Sequence, residues 1–403
     1  MYVIGKTGTG KSTLLKNMLV SDIRRGEGLA LIDPHGDLAD DILSYVPEAR
    51  MEDVIFFNPA DTKYPIAFNP LEETRHEQHY LIVSNLISIF KKIWPDYWGP
   101  RLEHILRYAL LSLLEYPGST LLDLPRILTD GIFRAEVLKQ VKDQHIKDFW
   151  LLQSGKSSAS GRAEAISPIL NKTGQLVASP YIRYIFGQCH SAFNLRKVID
   201  DGKILIVNLS KGRIGEDTSS FLGGMIVSSI MLAAAGRADI PESERKPFHL
   251  YVDEVHNFLT LAFTNILSES RKYGLDLILA HQYIAQLDEK VRSAIFGNVG
   301  TIISFRAGVE DAPFLAREFR PVFDAGDLIG LPNYSIYLKL MIDGTTSKPF
   351  SAKTLSPPKT GESLKREIIE FSRVKYGQPR FEIDEEMQSK QVVAFVTELE
   401  PLV

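Results

Sequence analysis

Cysteine is nearly absent: the 403-residue chain has one, Cys189. A single thiol can neither close an intrachain disulfide nor build a cysteine-based zinc site, so a disulfide scaffold is excluded and a reducing compartment is expected. An excess of either charge is also lacking, with 46 Lys and Arg against 50 Asp and Glu and a net charge of -4. That balance excludes a surface coated with cations for nucleic acid. Any grip on a phosphate backbone must come from a local patch or loop. Long apolar runs are missing too. The longest apolar helical stretch, residues 225–235, contains Ser228 and Ser229 and is too short to cross a bilayer. No charged segment followed by an apolar one opens the chain, so no secretion signal is expected. Core-forming residues are plentiful at 44%, enough for a large core and two or three domains.

The chemistry begins almost at residue 1. Gly5-Lys6-Thr7-Gly8-Thr9-Gly10-Lys11-Ser12-Thr13 fits the phosphate-binding pattern G-x-x-x-x-G-K-[ST]. Its glycines allow backbone N–H groups to converge on phosphate oxygens, Lys11 can reach the β- and γ-phosphates, and Ser12 can hold Mg²⁺. The flanks agree: residues 2–4 predict a buried strand, and Leu14, Leu15, Met18, Leu19 and Ile23 carry helical spacing. Phosphates would then meet a helix N-terminus. A similar-looking Gly155-Lys156-Ser157 fails, because Trp150 stands where the first glycine is needed. It falls in a serine-rich stretch, residues 154–160, that predicts a loop.

The pattern changes character twice along the chain. Residues 1–72 alternate strands and helices, with buried strands predicted at 29–33 and 54–57. Residues 73–195 carry helical spacing alone. Strands then return at 203–209, 249–252, 275–280, 301–305 and 335–342, interleaved with helices. The expected fold is α/β, with one mainly parallel core over residues 1–72 and 196–355, interrupted by an all-α insertion at 73–195 and followed by a tail at 356–403.

Within the returning strands, His249-Leu250-Tyr251-Val252-Asp253-Glu254 puts two carboxylates at the C-terminal edge of a sheet, where ligands of open α/β folds bind. Asp253 would serve a Mg²⁺ shell, and Glu254 could orient or deprotonate an attacking water. The next strand ends in His281-Gln282, and an amide there can sense a γ-phosphate. Arg271 and Lys272 precede that strand at the end of a predicted helix from residue 261, where cations suit the helix dipole. Arg271 could equally reach the γ-phosphate of a neighbouring subunit.

The ordered set Gly5 to Thr13, Leu31-Ile32-Asp33-Pro34-His35-Gly36-Asp37-Leu38, Tyr251-Val252-Asp253-Glu254-Val255-His256-Asn257, Glu269-Ser270-Arg271-Lys272-Tyr273-Gly274 and His281-Gln282 resembles the FtsK/HerA superfamily of P-loop ATPases. Within it, the sequence is most similar to TraG/TraD-type coupling proteins of conjugative type IV secretion. The resemblance spans roughly residues 1–350. It implies a RecA-like motor with an inserted helical domain, assembled as a homo-hexamer that uses ATP and Mg²⁺ to move DNA. It assigns Lys11 and Ser12 to ATP and Mg²⁺, Asp253 and Glu254 to the Walker B pair, Gln282 to γ-phosphate sensing, and Arg271 to a finger from the adjacent subunit. Secretion-channel and relaxosome proteins are the further partners implied. Coupling proteins usually start with transmembrane helices and HerA proteins with a small β domain. With residues 1–4 alone ahead of the loop, the expectation is a motor module missing such a segment, cytoplasmic and at the inner face of the membrane if an anchor precedes it.

Two other readings stay open, an ATPase that docks or assembles a secretion channel through protein partners and a soluble HerA-like DNA motor. Lys211 and Arg213, after the strand at 203–209, are candidate DNA contacts. His35 and Asp37 could line the site, or Asp37 could cap the following helix. His76 and His79 are three apart instead of the four of a zinc-protease helix, and Trp94, Tyr97 and Trp98 read as packing.

Overall fold

The computed structural model describes residues 1–72, 76–156, 159–260, 263–264, 267–361 and 363–388. They divide into two compact units, one within residues 1–57, 195–213 and 226–372, the other within residues 58–194, 214–225 and 373–388.

The first unit is built on a sheet. Its strands are β1 (Tyr2–Ile4), β2 (Gly28–Asp33), β3 (Val54–Phe57), β4 (Ile204–Asn208), β5 (Phe248–Val252), β6 (Leu275–His281), β7 (Ile302–Ser304) and β8 (Ser335–Lys339). A two-stranded hairpin, β9 (Met341–Ile342) and β10 (Thr345–Thr346), stands apart before β11 (Phe350–Lys353). The nine-stranded order is β11-β8-β7-β1-β6-β5-β2-β4-β3. Every pair from β7 to β3 is parallel, whereas β8 runs antiparallel to β7 and β11 antiparallel to β8. The parallel strands are continuous apolar runs such as Leu29, Ala30, Leu31 and Ile32, all fully buried, as expected of strands covered on both faces.

That arrangement creates the site. Because the strands from β3 to β7 run in one direction, they all end at one edge of the sheet. Gly5 follows β1, Asp253 follows β5, Gln282 follows β6 and Phe305 follows β7. Parallel register sets Ile32 beside Val252, so Asp33 and Asp253 emerge as neighbours. Helix α1 (Lys11–Arg25) rises directly from the loop after β1 and buries Leu15, Leu19, Val20 and Ile23 in the same core.

The second unit is helical. It contains His79–Ile93, Pro100–Leu114, Asp123–Thr129, Gly131–Gln140, Gln144–Lys156, Ala159–Ala178 and Pro180–Phe186. Its core includes an aromatic cluster in which Phe90 stacks on Trp94 and Phe221 meets both Phe90 and Phe186. Trp98 donates to Glu103 Oε2 at 2.8 Å, and the Tyr97 side chain lies outside the described residues. His76 Nε2 sits 3.6 Å from Glu115 Oε1, an ion pair when the imidazole is protonated.

Three expectations need correction. The apolar helix, expected over 225–235, extends over Glu216–Ala235, because the buried Phe221, Leu222, Gly223 and Gly224 continue it toward its N-terminus. The stretch Glu216–Asp239 is long and apolar enough to cross a membrane by length and composition alone, with a mean hydropathy of 1.6 over an 18-residue segment, but 61% of that segment is buried in the protein, as a core helix would be. The segment read as a tail holds the helix Lys365–Tyr376, whose Ile368 is fully buried and whose Ser372 hydroxyl accepts from the Phe56 amide at 2.9 Å. Part of the stretch expected as a serine-rich loop is helical, since Gln144–Lys156 and Ala159–Ala178 are helices; Ser157 and Ser158 lie outside the described residues.

Candidate functional site

The loop from Gly5 to Gly10 is held from several sides. The Lys6 amide donates to the Arg306 carbonyl at 3.0 Å, and the buried Thr9 hydroxyl donates to the Lys6 carbonyl at 2.6 Å. Gly10 takes a left-handed φ of 117°, and a Cβ there would lie 2.8 Å from a ring carbon of Tyr334, so only glycine fits. Helix α1 starts at the next residue with no side-chain cap, leaving its first amides and the positive end of its dipole at the loop, with Ser12 exposed there. The arrangement suits a string of phosphates.

Lys11 bends back over this loop, its Nζ 2.5 Å from the Gly5 carbonyl and 3.2 Å from that of Lys6. Burial lowers its pKa, and Glu254 and Asp253 oppose that shift. The carboxylates outnumber the ammonium. Asp253 is pushed up to about 7, first by burial and then by the charges of Asp33 and Glu254. Asp33 is anchored by the His35 and Ala39 amides at 2.8 and 2.9 Å, and Asp253 Oδ1 accepts from the Glu254 amide at 3.0 Å. Glu254 itself is strained, a non-glycine residue at φ 45° and ψ 54°. Its Oε2 is buried without a hydrogen-bond partner among the described residues, 3.6 Å from His256 Nδ1. A buried acidic group with an unused oxygen, facing a phosphate cradle, fits a divalent cation and a polar reactant such as water.

Gln282 joins the two halves. Its Oε1 accepts from the Thr7 hydroxyl at 3.0 Å, and its Nε2 donates to Glu254 Oε1 at 2.5 Å. The phosphate loop, the acidic strand end and the amide therefore form one connected cluster. Such a cluster can sense what lies on the loop and pass that to the carboxylate that would handle water.

Not every candidate joins it. Arg271 is exposed in the 3₁₀ turn Ser270–Tyr273, ahead of β6 and so at the opposite edge of the sheet from Gln282. Residues 261–262 and 265–266 of the helix expected before it lie outside the described residues. Lys211 and Arg213 do sit at the site's edge, in the short helix Lys211–Ile214 after β4, where the Lys211 amide donates to the Pro34 carbonyl at 2.9 Å. Of the two alternatives at residues 35–37, the cap reading of Asp37 is overturned, since the helix already starts at Asp37. Gly36 is the N-cap residue and Asp33 bonds the helix amide, while His35 and Asp37 are exposed.

Sequence reasoning did not single out Asp33 as part of the acidic group, although it ends its strand just as Asp253 ends the neighbouring one. Nothing in the sequence marked Tyr334 or Arg306, which the antiparallel strands and the loop after β7 bring to the phosphate loop.

Among curated proteins, no sequence matches this chain. Solved structures do. The bacterial conjugative coupling protein TrwBΔN70 superposes with a TM-score of 0.63 at 15% identity, covering 90% of this chain and 86% of its own. TrwB in complex with ADP and Mg²⁺ gives 0.62 at 16%, with the same coverage. VirB4 of Thermoanaerobacter pseudethanolicus gives 0.61 at 15%, covering 89% of each chain. At these identities the likeness is one of fold. Residues 1–312 match the family described as the type IV secretion-system coupling protein DNA-binding domain. The chain is thereby a member of that coupling-protein family.

Proposed function

We propose that the chain is the motor of a coupling protein that hydrolyses ATP to move DNA in a conjugative or type IV secretion system, working as a ring of six copies. The observation that carries this reading is the bridge made by Gln282 between Thr7 and Glu254, because it ties a phosphate loop to a carboxylate in the way a hydrolase needs. TrwB has been solved with analogues of GTP and ATP and with ADP and Mg²⁺, which supports ATP and Mg²⁺ as the ligands here. Loop amides and Lys11 would hold the phosphates, and Ser12 and Asp253 would hold the cation. When bound, Mg²⁺ supplies charge neutralisation at the transferred phosphoryl group. Glu254 orients water and accepts its proton, and Gln282 fixes Glu254 against the loop. Arg271 would act on a neighbouring copy. The expected location is the cytoplasm, and the inner face of the membrane where a membrane segment joins the motor.

DNA-stimulated ATP hydrolysis tests the reading. Stimulation that falls steeply with added salt is expected, since phosphate contacts release counterions. An assembled ring stimulated by neither single- nor double-stranded DNA would overturn the translocase. Stimulation by a channel protein alone would support a docking role instead.

A further inference from the structure

Tyr334 combines three properties that rarely meet. It is an aromatic residue with left-handed backbone at φ 64°, it is 53% exposed, and it touches the phosphate loop. A bulky residue in that region costs on the order of 1 to 3 kcal/mol and persists only where its surroundings over-determine it. Here they do. The Tyr334 amide donates to the Thr9 carbonyl at 2.8 Å, and its carbonyl accepts from the Thr354 amide at 2.8 Å and hydroxyl at 3.3 Å. The preceding Asn333 accepts from Arg306 at 2.9 Å, and Arg306 in turn accepts from the Lys6 amide. The phosphate loop thus fixes the backbone of Tyr334 while its ring stays open to solvent. Burial does not explain the strain, because the ring is half exposed. Leu355, 77% exposed, adds a second apolar side chain on the adjoining segment, which Asn17 of α1 ties down through the Leu355 carbonyl at 3.0 Å.

We propose that Tyr334 is the platform on which the base of the bound nucleotide stacks. The inference rests on the nucleotide reading above. The ring lies against Gly10, at the junction of loop and helix, so a nucleotide with its phosphates on the loop can lay its base on this exposed face. Stacking on a π-face reads no hydrogen-bond pattern, so the platform accepts adenine and guanine alike.

Substitution by glycine is the decisive test, because Tyr334→Gly removes the ring and relieves the left-handed strain, sparing the fold. Affinities for Mg·ATP, Mg·GTP and Mg·tripolyphosphate would be measured on wild type, Tyr334→Gly and Tyr334→Phe. The expected result is a loss of about tenfold for both nucleotides in Tyr334→Gly, tripolyphosphate affinity within twofold of wild type, and full recovery in Tyr334→Phe. Equal weakening of tripolyphosphate would assign Tyr334 to loop geometry and overturn the proposal, as would unchanged nucleotide affinity. A wild-type chain that binds tripolyphosphate but shows no gain from a base would overturn it too. Failure of wild type to bind any of the three would refute the nucleotide reading itself.

Discussion

His281 ends β6 fully buried, its Nδ1 3.0 Å from the Tyr2 hydroxyl and its ring 5.2 Å from that of His256. Burial, followed by the charges of His256 and Lys11, pushes its pKa from 6.5 down to about 3. The folded chain therefore holds a neutral imidazole, while the unfolded chain protonates it near pH 6.5. Between those values the unfolded state binds more protons, so stability falls as pH falls from about 6.5 toward 3. At pH 5 the loss is about 2 kcal/mol, from a gap of roughly 1.5 pH units at 1.36 kcal/mol each. His281→Asn removes the titration and keeps a polar group near Tyr2. The variant should be less stable than wild type at pH 7.5 through lost packing, yet lose about 2 kcal/mol less between pH 7.5 and 5. Tryptophan fluorescence would watch the wrong unit, because Trp94, Trp98 and Trp150 are all in the helical one. Hydrogen exchange of β1 and β6 amides, corrected for the intrinsic pH dependence of exchange, reads the correct unit. Asp253, raised to about 7, titrates in the same window with the opposite sign, but it does so in both proteins. The difference between the two pH responses is what counts. Identical responses would refute a neutral, buried His281.

Lys11→Ala should abolish nucleotide binding, read by loss of Mg·ATP affinity in equilibrium titration, because the ammonium that spans the loop carbonyls is gone. Glu254→Gln should leave ATP bound with turnover lowered by about 10² to 10⁴, the range for losing a general base; near-normal single-turnover hydrolysis would remove Glu254 from that role. Tyr251→Phe should destabilise the first unit by about 1.5 to 3 kcal/mol in β5 exchange, since the hydroxyl donates to the buried Asp22, with ATP turnover unaffected.

The parallel core was legible because its signals are local. Apolar runs such as 29–32 and 249–252 bounded by turns announce buried strands, and the glycine spacing at 5–10 announces the phosphate loop. Pairing Asp253 with Glu254 and Gln282 needed only the rule that parallel strands end at one edge. What stayed hidden depends on register and packing. Asp33 joins the acidic group because Ile32 pairs with Val252, a fact of alignment between strands about 220 residues apart. Tyr334 reaches Gly10 because β8 reverses direction beside β7, which no local pattern announces. Helix Glu216–Ala235 begins well before residue 225, where its buried Phe221 and Leu222 pack into the interior, a matter of tertiary burial.

Arg271 shows how placement restricts a role that spacing left open. β6 is seven residues long, so its two ends are about 20 Å apart at roughly 3.3 Å per residue. Gln282 stands beyond one end and Arg271 before the other. An arginine side chain cannot span that distance, so Arg271 has no access to phosphates held on its own chain's loop. If it acts on a nucleotide, that nucleotide belongs to another copy. Mixing Arg271→Ala with Lys11→Ala subunits then becomes a sharp test. Each variant is dead by itself, but an interface pairing the intact loop of the first with the intact Arg271 of the second is complete. Turnover should therefore reappear on mixing and peak near equal proportions. A mixture as inactive as its parents would leave Arg271 with a local role, its cation at the last turn before β6, and would move the search for a trans-acting group elsewhere on the surface.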